Sequence, residues 1–319
     1  MKLNNSVTLE YHHISYNRIL PRYNPNFGSS KLSNESNPHT EKALSNCKKL
    51  MPLLDGEFTV SQLGKQSNVQ TKTIGNAQYK KAYTAFKFDY KKGKHKTPPI
   101  IELPELTRTD SIGKTLYLMH FAHELTHVEQ INMGDDPHTL LVQDTISAGF
   151  NPKEIDDTFA WHCNYHKEQI NGDTMRKACH YVLGLEGMDS YRQNDGLCRA
   201  NVQITEEKLA QSLGYKNKNE FITNFAKDVV PFDKLIDSIC TRNAFLARKC
   251  VDSLTQTKAK IKNILIKYFK NSSRIEKEAY LTEYKVSQLF GYDDKATKCI
   301  YTYHSMAEEA FEHYLQNSK

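Results

Sequence analysis

No stretch of the 319 residues is apolar enough to cross a membrane. The start, Met1-Lys-Leu-Asn-Asn-Ser-Val-Thr-Leu9, lacks the apolar core of a signal peptide. The expected setting is therefore the cytoplasm, or export by a route that needs no such signal. Paired cysteines are missing too. The seven cysteines (Cys47, Cys163, Cys179, Cys198, Cys240, Cys250 and Cys299) are scattered, odd in number and never spaced as CxxC. That argues against a disulfide framework and for reduced thiols in a reducing compartment. Neither sign of charge dominates: 43 Lys and Arg against 37 Asp and Glu leave +6, spread along the chain. Such a surplus is weak support for a nucleic-acid partner. The length suffices for one large domain or two lobes with a substantial core.

The informative stretch is Met119-His-Phe-Ala-His-Glu-Leu-Thr-His-Val-Glu-Gln130, which contains the HExxH pattern His123-Glu124-Leu125-Thr126-His127. On a helix, residues four apart share a face, so His123 and His127 can offer two imidazole nitrogens to one metal ion, zinc being the usual occupant. Glu124 can reach a metal-bound water as general base. The surroundings read as helix. Asp110 or Ser111 can cap the start, Gly134 can stop the end, and no Pro or Gly interrupts Lys114 to Met133. Leu118, Phe121, Ala122, Leu125 and Val128 supply apolar positions at helical spacing. A core helix that merely carries these residues is the bland alternative, but unpaired His and Glu are poor core residues. A metzincin extension would need Gly at 130 and His at 133; the chain has Gln130 and Met133. The third ligand must lie further along.

Residues 1–56 read as an N-terminal arm, irregular to about residue 40, with a short helix over His39–Leu54. The pair His12-His13 has no neighbour to complete a ligand set and reads as surface. Residues 57–135 read as a lobe of strands followed by the HExxH helix. Ala82–Tyr90 has the aromatic alternation of a strand, Lys91–Lys96 a charged turn, and Pro99–Pro104 an edge strand, because its prolines would block a central one. An edge strand of this kind can pair with an extended peptide. Residues 136–319 read as helical, with segments at 153–170, 174–183, 205–213, 220–230 and 232–270. Lys258, Lys260, Lys262 and Lys267 read as a solvated helix face. A second pair of histidines four apart, His162 and His166, lacks the glutamate and a third ligand. His120, one turn before His123, is a candidate for the outer shell or for simple packing.

The stretch Ser272–Phe290 reads as a separate helix, capped by serine and stopped by Gly291. At 100° per residue, Ile275, Ala279, Val286 and Phe290 form one stripe with Glu276 and Glu283 on or beside it, and Glu278 points away. A buried carboxylate needs a proton, a partner or a metal. Glu276 is therefore assigned as third ligand, and Glu283 as a partner that hydrogen-bonds a ligand histidine. A capping box, Ser273-x-x-Glu276, explains the same residue differently.

His-Glu-Leu-Thr-His-Val-Glu-Gln130 resembles the HExxHxxQ helix of zincin metallopeptidases, particularly the domain found with bacterial contractile injection systems. Ser273-Arg-Ile-Glu-Lys-Glu-Ala279 resembles the SRxxExxAD segment of membrane-associated gluzincins, where that glutamate binds zinc. The match departs twice. One residue is missing between Arg274 and the glutamate, and Tyr280 stands where the family has the aspartate that orients a ligand histidine. The resemblance covers residues 57–135 and 272–290. It implies an α+β, zincin-like fold, a zinc ion on His123, His127 and Glu276, and hydrolysis of a protein or peptide with Glu124 as base. Candidates for stabilising the developing oxyanion are Tyr280, Tyr284, Tyr303 and His304. The glutamates after Met306 are similar to the C-terminal signals of some bacterial type IV secretion effectors, which implies a host protein as substrate. An amphipathic last helix accounts for them equally. No nucleic acid and no membrane insertion are expected. The rival readings are an inactive zincin-like binding scaffold and a nucleic-acid-binding helical protein.

Overall fold

The computed structural model describes residues 8–9, 35–75, 82–106, 111–150, 157–184, 203–242, 254–291 and 293–318. One five-stranded sheet of short strands and a set of helices build an α+β architecture in which helix predominates.

Helix α1 (Pro38–Leu50) begins where Asn37 accepts from the Thr40 amide at 2.8 Å, with proline at its first position. A 3₁₀ turn, Met51–Asp55, extends it. The next element corrects the sequence reading. Residues expected as strand form α2 (Val60–Ser67), started by a capping box in which Thr59 and Gln62 satisfy each other's amides.

Strand β1 (Thr8–Leu9) pairs antiparallel with β3 (Tyr83–Asp89), and β3 pairs antiparallel with β5 (Ile100–Pro104) at Tyr83↔Glu102, Thr84↔Ile101 and Ala85↔Ile100. The short β4 (Lys94–His95) returns along β3 after a turn that places Gly93 at a φ of +62°. Strand β2 (Gln70–Ile74) adds parallel to β5. The order β1-β3-β5-β2 makes β5 an interior strand, not the expected edge. Its prolines do not prevent this: Pro99 precedes the strand and Pro104 is its last residue, so no amide is missing from its middle. Along β3, Thr84, Phe86 and Phe88 turn inward and their neighbours outward.

Helix α3 (Ser111–Met133) follows and stops at Gly134, which takes the left-handed conformation with φ +70°. Asp110 lies outside the described residues. Asp136 caps α4 (Pro137–Ser147) by accepting from the amides of His138 and Thr139. Then come α5 (Asp157–Glu168), a π-helical turn (Gln169–Thr174) and α6 (Met175–Leu183) without a break. Next are α7 (Glu206–Ser212), α8 (Lys218–Val229) and α9 (Phe232–Arg242). The last two are α10 (Leu254–Leu289) and α11 (Lys295–Asn317).

Helix α10 runs 36 residues without interruption, so the separate helix expected from Ser272 does not exist. Ser272 sits mid-helix and back-bonds to the Tyr268 carbonyl at 2.9 Å. Two apolar cores flank the seam between α3 and α10. One holds Ala43, Leu50, Leu63, Ile101, Leu103, Phe121, Leu125 and Val286. It draws α1 into the body of the fold, although the sequence grouped those residues with an arm. The other joins α5 to α11 around Phe221, Phe225, Phe269, Tyr303 and Phe311. Burying each such side chain contributes roughly 1.5–3 kcal/mol. Across the seam a chain of hydroxyls ties three helices: Thr126 donates to Thr282 at 2.9 Å and Thr282 to Thr40 at 3.1 Å.

At the C-terminus, Glu308 pairs with Lys277, Glu309 with Lys218 and Glu312 with Lys270, while Met306, Ala307, Ala310 and Phe311 are buried. The last helix is thus a core element. Lys258 and Lys267 are paired likewise, to Asp237 and Asp144, both at 2.6 Å. No helix among the described residues is long and apolar enough to cross a membrane.

Candidate metal centre

Helix α3 is buried nearly all round, which is why its polar residues must find partners inside the protein. His123 and His127 turn toward α10, one helical turn apart, with their Nε2 atoms 3.2 Å from each other. Glu276 comes from α10 and brings Oε2 to 3.8 Å from each of those nitrogens. All three side chains are buried, and their ligand atoms lie within 4.8 Å of one another, so this group can hold a metal ion. Four donors placed tetrahedrally about an ion at roughly 2.1 Å stand roughly 3.4 Å apart. The measured separations bracket that distance. Because α10 is continuous through Ser273, Glu276 is far from any helix N-terminus and caps nothing.

Both histidines are held from behind. His127 Nδ1 lies 2.9 Å from Gln130 Oε1, and the Gln130 amide donates in turn to the Ile275 carbonyl at 3.1 Å and to Glu278 at 2.9 Å. With Nδ1–H donating to Gln130, His127 presents its Nε2 lone pair to the centre. Behind His123, Glu283 Oε2 lies 3.3 Å from Nδ1. Its other oxygen accepts from Thr297 on α11 at 3.3 Å and lies 3.9 Å from His120. Glu283 thus lies beside a ligand histidine, in an ion-pair contact rather than the hydrogen bond expected of it. Gln130 was legible only as a letter of the HExxHxxQ pattern and as the residue that breaks the metzincin extension.

Glu278 departs from expectation. It is buried, bonded to His39 at 2.9 Å, Arg274 at 2.9 Å and Gln130. The helix stripe placed it away from the apolar neighbours, but α10 is covered on that side too, by α1. Burial works to raise its pKa, and the bonds from His39 and Arg274 outweigh that and hold it below the usual carboxylate range.

Glu124, next to His123, accepts from the Thr84 hydroxyl of β3 at 2.8 Å. Burial drives its pKa well up, Thr84 pulls it back, and the charges of Glu276 and Glu283 push it up further. A cation held by Glu276 offsets those repulsions. Burial also holds His123 and His127 below the ordinary histidine range, which keeps both imidazoles in the neutral form that binds metal.

Of the four proposed oxyanion donors, two are committed elsewhere. The Tyr284 hydroxyl donates to Asp293 at 2.8 Å, and that of Tyr303 to the Ile170 carbonyl at 2.9 Å. The other two stay at the centre. The Tyr280 ring meets the His123 ring edge-on at 4.6 Å and stacks on His304 at 5.6 Å. His304 is buried, and burial lowers its pKa to about 4, with Glu276 opposing and Lys167 assisting.

Sequence reasoning missed Lys167, at the end of α5. It is 4% exposed; burial lowers its pKa with Glu276 opposing, and its charge adds to the lowering of the His127 and His304 pKa values. No motif signalled it. Of the second histidine pair, His166 bonds to Gln169 at 3.1 Å; the His162 side chain lies outside the described residues, as does His12-His13. Cys47, Cys163, Cys179, Cys240 and Cys299 are free thiols. No family model, curated protein or solved structure matches the chain.

Proposed function

We propose that the chain is a zinc-dependent metallopeptidase whose ion is held by His123, His127 and Glu276. The observation that carries this reading is the convergence of two neutral imidazoles and one carboxylate, with the buried Glu124 carboxylate beside His123 on the same helix. Two histidines and a glutamate are the protein ligands of catalytic zinc sites that keep one position open. Zinc bound there supplies a Lewis acid that polarises the scissile carbonyl and acidifies a water.

The chain's own residues do the rest. Glu124 takes the water's proton and passes it to the leaving nitrogen, and Thr84 fixes the carboxylate that does so. Gln130 fixes the plane of His127, and Glu283 sets a carboxylate charge behind His123. Thr84 also makes β3 the strand that touches the Glu124 carboxylate, but β1 and β5 take its two edges, so the edge-strand role expected of residues 99–104 does not pass to it.

The test is elemental analysis of wild type, His123→Ala, Glu276→Ala and Glu124→Gln, beside mass-spectrometric scoring of a peptide library. The expected outcome is near-stoichiometric zinc in wild type and Glu124→Gln, and loss of zinc in the other two. Peptide cleavage should fall by at least ~100-fold in Glu124→Gln. Zinc binding with no cleavage of any peptide by wild type would favour a binding scaffold, and no zinc at all would sink the reading.

A further inference from the structure

We propose that Glu278 is a positioning residue of the metal centre: through the Gln130 amide it sets which ring nitrogen of His127 faces the ion. This rests on the metal-binding half of the metallopeptidase reading.

A buried carboxylate needs donors around it, and Glu278 meets them from three helices. Its Oε1 accepts from the Arg274 guanidinium at 2.9 Å, one turn earlier on α10. Its Oε2 lies 2.9 Å from His39 Nδ1 of α1 and accepts from Gln130 Nε2 of α3 at 2.9 Å. Arg274 is held in turn by Asp135, just past the end of α3, through bonds of 2.9 and 2.7 Å. His39 Nε2 lies 3.5 Å from the same Asp135. The network closes on itself, and with both oxygens engaged the Glu278 carboxylate is fixed in rotation.

The Gln130 amide is the link, and its sense follows from which partners only accept. Nε2 donates one hydrogen to Glu278 and the other to the Ile275 carbonyl at 3.1 Å. Neither a carboxylate nor a carbonyl oxygen donates. Oε1 is therefore the atom left for His127, 2.9 Å from Nδ1. An amide oxygen only accepts, so Nδ1 carries the proton and Nε2 keeps its lone pair. That nitrogen stands 3.2 Å from His123 Nε2 and 3.8 Å from Glu276 Oε2. Of the two acceptors, Glu278 carries charge and holds the amide more strongly. The Ile275 carbonyl lies inside α10, where the helix's own amide ladder shares it.

Glu278→Gln puts an amide where both sides need an acceptor. Arg274, being charged, takes the new oxygen, so the new NH2 faces Gln130. Gln130 relieves that donor–donor contact by turning its oxygen toward it and its nitrogen toward His127, at the cost of the Ile275 bond. Nδ1 must then accept and the proton sits on Nε2. The ring stays neutral, but the lone pair no longer points at the centre.

The experiment uses the full-length chain with isotopically labelled histidine, as wild type, Glu278→Gln, Gln130→Met and the double variant. Heteronuclear NMR of zinc-free protein, above the ordinary histidine range of pH, tells an Nδ1–H ring from an Nε2–H ring. The His127 signals are those that vanish in His127→Asn. Zinc affinity is measured by chelator competition and stability by urea midpoint. Gln130→Met breaks the link but leaves Glu278 its bonds to Arg274 and His39, and it guards against a Glu278→Gln chain that fails to fold. The expected result is an Nδ1–H ring in wild type, an Nε2–H ring in Glu278→Gln and a mixture in Gln130→Met. Zinc affinity should fall about tenfold or more in each single variant. The double variant should bind zinc no more weakly than Gln130→Met alone. A lower urea midpoint in Glu278→Gln, with the His127 signals and zinc affinity unchanged, would show Glu278 to be a structural ion-pair partner only and would overturn the assignment. Zinc losses that add in the double variant would overturn it as well, because Glu278 would then act by a route other than Gln130. A wild type that takes no zinc overturns this assignment together with the metal reading. Neither readout needs turnover, so failure to cleave any peptide would sink the peptidase reading alone.

Discussion

Among the described residues, the Thr84 hydroxyl donates to the Glu124 carboxylate, and Glu124 is otherwise ringed by burial and by two further carboxylates that oppose its ionisation. The base works only when ionised, so the bond from Thr84 favours the working form. Thr84→Val keeps the shape and removes the donor. The folded-state pKa of Glu124 should then rise further, and the acid limb of the pH–rate profile should move to higher pH by about one unit, equivalent to about 1.4 kcal/mol. Zinc content should not change, since Thr84 touches no ligand. An acid limb that stays in place would mean that Thr84 only packs β3 against α3. At this scale the sequence was most readable where chemistry is local. His123, Glu124 and His127 share one helical turn, and spacing alone places them together. Glu276 and Glu283 come from a helix remote in sequence and were reachable because a carboxylate on an apolar stripe demands an explanation. Lys167 had no such mark: a lysine near the end of an amphipathic helix looks like any solvated lysine until the helices around it are known.

Helix α10 shows where local signals mislead about elements. Ser272-Ser273 has the look of a cap, and Ser273-x-x-Glu276 that of a capping box. In the fold, tertiary burial overrides that preference, and the helix continues through both serines because α3, α4 and α11 cover its sides. The Ser273 hydroxyl is buried with no hydrogen-bond partner among the described residues. The two readings part on Ser273→Ala. A lost cap costs about 1 kcal/mol. A buried hydroxyl without a partner costs stability itself, so its removal should leave stability unchanged or raise it by up to about 1 kcal/mol. Denaturant midpoints of zinc-free wild type and Ser273→Ala decide this, and a loss near 1 kcal/mol would restore the cap. The opposite error occurred at α2, where a genuine capping box, Thr59 and Gln62, went unread because the helix it starts is only 8 residues long and its buried face of Val60, Leu63, Gly64 and Ser67 carries just two large apolar side chains. The position of β5 was missed because prolines were weighed by presence, whereas their places at the margins of the strand leave its interior amides intact.

On the scale of the whole molecule, the seam between the two cores is lined with histidines that burial keeps neutral, and this makes acid an antagonist of the fold. His138 is the clearest instance outside the metal centre. It opens α4, bonds through Nδ1 to the Tyr90 hydroxyl at 2.7 Å, and packs against Phe86, Phe88 and Tyr268. The charged groups around it are Asp136, Lys167 and His95, the last held by Asp136 at 2.9 Å. Burial lowers its pKa from 6.5 to about 3, with Asp136 opposing and Lys167 and His95 assisting. The sign follows from proton counts. Below pH 6.5 the unfolded chain takes a proton on this histidine and the folded chain does not until pH is near 3, so falling pH favours unfolding across that window. The slope from this one group is about 1.4 kcal/mol per pH unit once the unfolded histidine is fully protonated. Above pH 6.5 neither state is protonated and the group adds no pH dependence. His138→Gln leaves Tyr90 an acceptor and removes the titration. In urea melts of zinc-free protein at pH 7 and pH 5, wild type should lose about 1–2 kcal/mol more than the variant between those pH values. The centre's own histidines contribute the same sign to both proteins and cancel in the difference. Parallel losses would mean that His138 is protonated inside the fold with Asp136 as its partner, and that the acid sensitivity of the seam belongs to the metal centre alone.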